Sequence, residues 1–339
     1  MLMKEKNYNL ELIRMVSFVL VIVIHVTNYF CRAYGEISRG EYLFSLVLDT
    51  AARVSVPCFF MISGALLLGR DEPLQKHVCR LLRFLAVLIV WSAVYYLWNR
   101  FYMRTSYDMR NILSDPVEEH LWYLYAMIPI YLVLPFLQTM CRGMSMKLEK
   151  VFLAVITFAV VINFLLGLGG QELYYDVPLV GDRCYVYYMF AGYYLYKYRK
   201  HIPLGQKQAL VICLLSLAAD VAVTLGVTVS QGDHYEGALT YENIFIILAS
   251  VTFFLFMLRL GKGRLRLGER GRKVTDLFCA CSFGIYLIHI LFLDNYKKYA
   301  EAEDLSAWIA VPLLTAGITG VSFACVWVMR RFAPGRKIT

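Results

Sequence analysis

Long apolar runs, separated by short polar connections rich in lysine and arginine, make up most of the chain. Runs able to cross the roughly 30 Å hydrocarbon core of a bilayer fall at about 10–31, 42–69, 84–99, 121–140, 151–168, 185–198, 208–229, 242–260, 274–293 and 306–329. This pattern predicts an all-α, polytopic bundle of about ten transmembrane helices, organised as a single integral-membrane domain over residues 1–339 with no appended soluble domain. The run at 185–198 is short and tyrosine-rich, and the start of 274–293 is indistinct. The first run exceeds the apolar core of a typical signal peptide and another span follows almost at once, so it is expected to stay in the mature protein.

Composition agrees with this reading. Hydrophobic residues make up 59% of the chain, charged residues 17%, and mean hydropathy is +0.56. The net charge of +9 is explained by topology. With the N-terminus inside, 24 of the 34 lysines and arginines fall in cytoplasmic segments and 8 in the opposite loops, which predicts both termini in the cytoplasm of a bacterial cell membrane protein. Nucleic acid therefore has no support as a partner. Neither zinc spacing nor a Gly-rich phosphate loop is present, and no metal site is expected. The nine cysteines lie mostly within spans and read as reduced, packed thiols; Cys31 and Cys184, near outer helix ends, are a candidate pair.

The first run carries an arginine and a histidine. Arg14 and His25 are eleven positions apart, a rotation of about 1100° that returns them to nearly one helix face. Glu11 and Asn28 lie near the same stripe. His25 stands about 16 Å deeper in the bilayer than Arg14. An ionisable group at that depth normally faces the bundle interior and marks a pathway or a reaction site. The plainer alternative is a neutral histidine bonded to a neighbouring helix, with Arg14 snorkelling to the interface. A second basic pair, Arg80 and Arg83 in "QKHVCRLLRF", occupies adjacent positions on one helix turn at the membrane face of Arg14. Such a pair is either a positive-inside anchor or, joined by Arg14, a site for a polyanion such as a nucleotide phosphate.

Taken in order, these blocks resemble the integral-membrane acyltransferase family 3, many members of which O-acetylate bacterial cell-surface glycans. The resemblance is carried by "LELIR" with Arg14 and His25, by "RVSVPCFFMISGALLL", by Arg80 and Arg83, by "HLWYLYAMIPIYLVLPFL" at 120–137 and by "SFGIYLIHILF" at 282–292. It implies a cytoplasmic acyl-CoA donor, acetyl-CoA above all, and an extracytoplasmic acceptor such as an envelope glycan or lipid-linked sugar. It also implies an essential His25, with Arg14, Arg80 and Arg83 holding the donor. A general-base role for His25 and a covalent acyl-histidine relay are both open at this point.

Other polar groups are supporting candidates. Asp49 and Arg53, four apart, predict a local ion pair, with Arg53 also a candidate acceptor contact. Asp220 and Asn163 read as interhelical hydrogen-bonding groups, and Ser63 and Gly64 as markers of close helix packing. His289 sits in the "IYLIH" block and is a candidate for lining the site. Its H-x4-D spacing to Asp294 matches a different, glycerolipid acyltransferase class whose other blocks are absent. Trp122, Tyr123, Tyr174 and Tyr175 are candidates for stacking on a sugar. The rival function is a small-solute transporter, for example of amino acids, since family-like membrane domains occur joined to amino-acid racemases.

Overall fold

The computed structural model describes residues 6–339 other than 169, 172, 174–183 and 264, so Tyr174 and Tyr175 lie outside the described residues. Among those described, the chain is helical, with an isolated bridge between Tyr34 and Ile37 and no strand. The helices are α1 (Tyr8–Arg32), α2 (Arg39–Ala52), α3 (Ser55–Leu67), α4 (Leu74–Trp98), α5 (Trp122–Gly143), α6 (Met146–Leu168), α7 (Tyr185–Tyr198), α8 (Gln206–Gln231), α9 (Ile244–Leu258), α10 (Glu269–Lys297), α11 (Ala307–Met329) and the short α12 (Ala333–Ile338).

Among the described residues, nine segments are long and apolar enough to cross a membrane, α2 and α3 counting as one. The tenth predicted span, the short tyrosine-rich run at 185–198, forms α7, whose 14 residues are too few to count among them. Helices α4, α6, α8 and α11 turn much of their apolar surface outward; Leu82 and Ile89 of α4 are 58% and 67% exposed and Leu313 of α11 is 62% exposed. Such surface fits hydrocarbon rather than water, because these helices satisfy their own backbone hydrogen bonds. Helices α1, α3, α9 and α10 are the more buried and form the centre.

Two local features shape that centre. The single predicted span at 42–69 is broken between α2 and α3 at Arg53–Val54. Pro57 explains the break: it lacks an N–H donor and its ring crowds the carbonyl four residues earlier, that of Arg53. The second feature is the crossing of α3 and α7. A Cβ added to Gly64 would stand 1.8 Å from the Met189 carbonyl oxygen, and one added to Gly192 would stand 2.2 Å from the Met61 carbonyl oxygen. Each glycine thus receives the backbone of the other helix, as small residues do in membrane helix pairs.

The connection after α4, residues 99–121, is held by side-chain hydrogen bonds, one from α5 and one within the connection itself. Tyr125 Oη donates to the Ile112 carbonyl at 2.7 Å, and Asn99 Nδ2 donates to Glu118 Oε2 at 3.1 Å. Burial, helped by the charge of Asp294, pushes the Glu118 carboxyl up to about 7, against the bond from Asn99. A carboxyl with a raised folded-state pKa binds its proton more tightly when folded, so stability falls as pH rises from the unfolded value toward 7. Glu118→Gln, which keeps an acceptor for Asn99, is therefore expected to be the more stable protein at pH 8 by about 1–3 kcal/mol and equal to the parent at pH 4. Thermal unfolding in detergent across that range reads the difference; a parent whose stability does not decline toward pH 8 would contradict it.

Candidate active site

A cavity of about 820 Å³ follows the length of α1. Arg14, Val21, His25, Asn28 and Arg32 all line it, and the first and last are separated by about 27 Å of helix rise. Spacings of seven, eleven, fourteen and eighteen residues keep one helix face turned inward, so the Arg14 and His25 stripe read from the sequence is the cavity wall. The opposite wall comes from Phe59 and Ser63 of α3, Phe84 of α4, Tyr123 and Tyr131 of α5, and Phe283 and Tyr286 of α10.

At mid-depth three imidazoles meet. The ring of His25 lies 5.2 Å from that of His289 and 6.4 Å from that of His120, and the latter two are 5.4 Å apart. His25 is half-buried and lines the cavity together with the buried His120, whereas His289 is buried and does not line it. His289 Nδ1 is 2.6 Å from the Tyr286 carbonyl oxygen, an acceptor, so Nδ1 carries the hydrogen and Nε2 is left as an acceptor without a partner. Around His120, Tyr286 Oη donates to its backbone carbonyl and the Tyr95 ring packs 4.9 Å away. Among the described residues no group of His, Cys, Asp or Glu is arranged to hold a metal ion.

Toward the Arg14 face, Arg14 and Arg80 are each matched by a carboxylate. Arg14 Nη1 donates to Glu11 Oε2 at 2.8 Å, one turn away on α1, and Glu11 itself does not line the cavity. Arg80 sits behind the wall residue Tyr131, its guanidinium carbon 5.8 Å from that ring, and Nη2 donates to Glu72 Oε2 at 2.8 Å. Burial pushes the Glu72 carboxyl up, but Arg80 and Arg70 outweigh it and hold the group below the usual carboxylate range. Arg80 Nη1 is buried without a partner. Arg83 is exposed, one turn further along α4.

The far end is lined by Asn28, Arg32, Arg53, Glu119, Trp122 and residues of the 236–242 segment. Arg32 Nε and Asn28 Nδ2 both donate to Glu236 Oε1, at 2.7 and 3.2 Å. The predicted Asp49–Arg53 pair is present: two guanidinium nitrogens donate to Asp49 Oδ2 at 3.0 and 2.8 Å, and Thr27 Oγ1 donates to Oδ1 at 3.0 Å. Asp49 is fully buried, so this pair sets the guanidinium of Arg53 on the cavity wall. Asp220 makes the expected interhelical contact, accepting from Asn243 Nδ2 at 2.7 Å. Trp122 stacks between Tyr185 and Tyr241, with centroids at 5.5 and 5.7 Å, while Tyr123 packs against Phe60 and Tyr286.

Cys31 and Cys184 are separate buried thiols, the second donating to the Tyr241 carbonyl. His120 was not singled out by sequence reasoning, although it opens the "HLWYL" block. Its position in the connection ahead of α5 carries no helical periodicity that would aim it at His25.

Comparison with known proteins places these features in a family. A family model described as an acyltransferase domain matches residues 7–329. The chain is 17% identical to a probable poly-beta-1,6-N-acetyl-D-glucosamine export protein of Staphylococcus aureus strain MSSA476, over 97% of this chain and 95% of that protein. It is 23% identical to an amino-acid racemase of Enterococcus faecalis, over 88% of this chain and 43% of that protein. No solved structure matches. With matching blocks along nearly its whole length and a multi-pass helical bundle around them, the chain belongs to the integral-membrane acyltransferase family 3.

Proposed function

We propose that this membrane acyltransferase moves an acetyl group from cytoplasmic acetyl-CoA to a hydroxyl of an envelope glycan or lipid-linked sugar, with both termini of the chain in the cytoplasm of a bacterial cell. The observation that carries this reading is the cavity that follows α1 from Arg14 past His25 to Arg32. Donor phosphates held near Arg14, Arg80 and Arg83 leave an extended pantetheine arm to reach His25, about 16 Å away along the helix. The acceptor enters from the opposite end, where Trp122 presents an aromatic face beside the polar groups of Asn28 and Arg53. His25 takes the hydroxyl proton as the oxygen attacks the thioester carbonyl; the carbon–sulfur bond breaks and the thiolate receives the proton. His289, a fixed acceptor behind His25, supports its orientation.

The glycan assignment draws support from the name of the staphylococcal relatives, which concerns a polymer of N-acetylglucosamine. A transport reading shares the cavity but leaves the arginine cluster at one end and the imidazole at mid-depth without a task. Purified protein in proteoliposomes, given labelled acetyl-CoA and envelope extract, should label a hydroxyl of a saccharide, identified by mass spectrometry. Acceptor-independent solute uptake with no labelled product would overturn the assignment.

A further inference from the structure

A second cavity, of about 1220 Å³, shares no residue with the first. It opens at the Arg14 end of the bundle, among the first turns of α1, α8 and α10 and the last turns of α7 and α9. Among the described residues six cations line it, Lys6, Arg199, Lys200, Arg259, Arg266 and Arg272, and no carboxylate does. Elsewhere on this face Arg14, Arg80, Arg142 and Lys197 are each paired with an acid, as Lys6 is on the rim of this cavity.

Its floor and its rim differ. Asn9 is fully buried; its Nδ2 donates to the carbonyls of Met257 and Leu260, at 3.0 and 2.9 Å, and its Oδ1 accepts from the Leu265 N–H at 2.9 Å. Arg259 is likewise committed to the carbonyls of Leu204, Arg199 and Ile202. These bonds tie the end of α9 to the start of α1 and to the end of α7, giving the cavity a fixed base. On the rim Lys6 pairs with Asp276 at 2.7 Å, and Arg199 lies over the Tyr196 ring at 4.6 Å. Lys200, Arg266 and Arg272 are exposed and have no ion pair among the described residues. Like charges held together around a concave surface repel one another and raise the local affinity for an anion.

We infer that this cleft binds a phosphate-bearing ligand. Phosphate matches the donors on offer, since guanidinium groups address its oxygens in pairs and lysine adds a point charge. The cavity exceeds the volume of a single phosphate and suits a headgroup or a nucleotide. Its residues flank the apolar spans, at the depth of lipid headgroups, so the phosphate has two sources: an acidic phospholipid of the adjoining leaflet or a soluble nucleotide. The inference does not rest on the acyl-transfer reading, because no residue of the first cavity takes part.

The test uses the full-length protein in phosphatidylcholine nanodiscs, with and without phosphatidylglycerol, and with ADP as the soluble probe. The variant carries Lys200→Gln, Arg266→Gln and Arg272→Gln together, three exposed changes that leave Asn9 and Arg259 intact. Arg330→Gln with Arg331→Gln is the control for general attraction between a basic surface and an acidic bilayer. Native mass spectrometry should show phosphatidylglycerol retained, or calorimetry should show ADP bound, by the parent and the control. The triple variant should lose that binding by roughly tenfold or more, as removal of three surface cations implies. Retained lipid identifies the headgroup as the source, and bound ADP identifies the nucleotide. Equal binding by the triple variant and the parent, or no binding of either probe to the parent, overturns the inference; a single Arg272→Gln variant serves the same comparison if the triple variant does not fold.

Discussion

His25→Ala is expected to lower the rate of acyl transfer by about 10²–10⁴-fold, the range that a positioned base contributes, while acyl-CoA affinity and thermal stability stay near the parent values. The argument is geometric. His25 is the most accessible of the three histidines, half-buried on the cavity wall, whereas His120, which also lines the cavity, and His289 are buried. Its removal opens only a small space on a wall already facing a cavity, so the packing cost is small beside a core truncation. The arginines proposed to hold the donor are about 16 Å away along the helix, too far for the substitution to disturb them. Single-turnover transfer measured with saturating acetyl-CoA separates the chemical step from binding. Full activity in a correctly folded His25→Ala protein would remove the imidazole from the reaction.

Gly64→Ala is expected to cost more than about 4 kcal/mol, in the range reserved for exceptional single substitutions, and so to prevent recovery of a monodisperse protein. The added methyl would meet not a mobile side chain but the Met189 carbonyl oxygen at 1.8 Å, and relief requires α3 and α7 to separate. Gly192→Ala meets the Met61 backbone in the same way and should behave alike. Gly226 of α8 supplies the contrast: nothing lies within 4 Å of a Cβ there, and alanine is the better helix former by about 1 kcal/mol. Size-exclusion recovery and thermal unfolding of Gly64→Ala and Gly226→Ala in one detergent compare the two cases. A Gly64→Ala protein as stable as Gly226→Ala would show that the helices do not cross at that point.

Much of the architecture was legible because crossing a bilayer imposes a local requirement, a sufficient length of apolar residues. The weakest expected span, 185–198, coincides with α7, a helix of 14 residues that is not among the segments long enough to cross a membrane. The break inside the expected 42–69 span was less visible. Pro57 causes it, but many membrane helices tolerate a proline, so the residue type alone does not announce where the chain turns. For the site, the Arg14–His25 stripe followed from helical periodicity, and the Asp49–Arg53 pair from a four-residue spacing. His120 did not follow, because an irregular connection brings it to His25. Nor did Glu72, whose bond to Arg80 means that a donor phosphate has to compete with a resident carboxylate.

The sequence by itself determined the helical bundle, its approximate crossings and the face of α1 that carries arginine, histidine and asparagine, since all three depend on residues within a few turns of one another. Tertiary structure decided what surrounds that face: two further imidazoles, an aromatic stack at one end, acids over the arginines at the other and a cavity joining the two. The physical reason is that helix periodicity is set by the local backbone, whereas contacts across helices depend on how closely packed surfaces approach, which no spacing along one chain encodes.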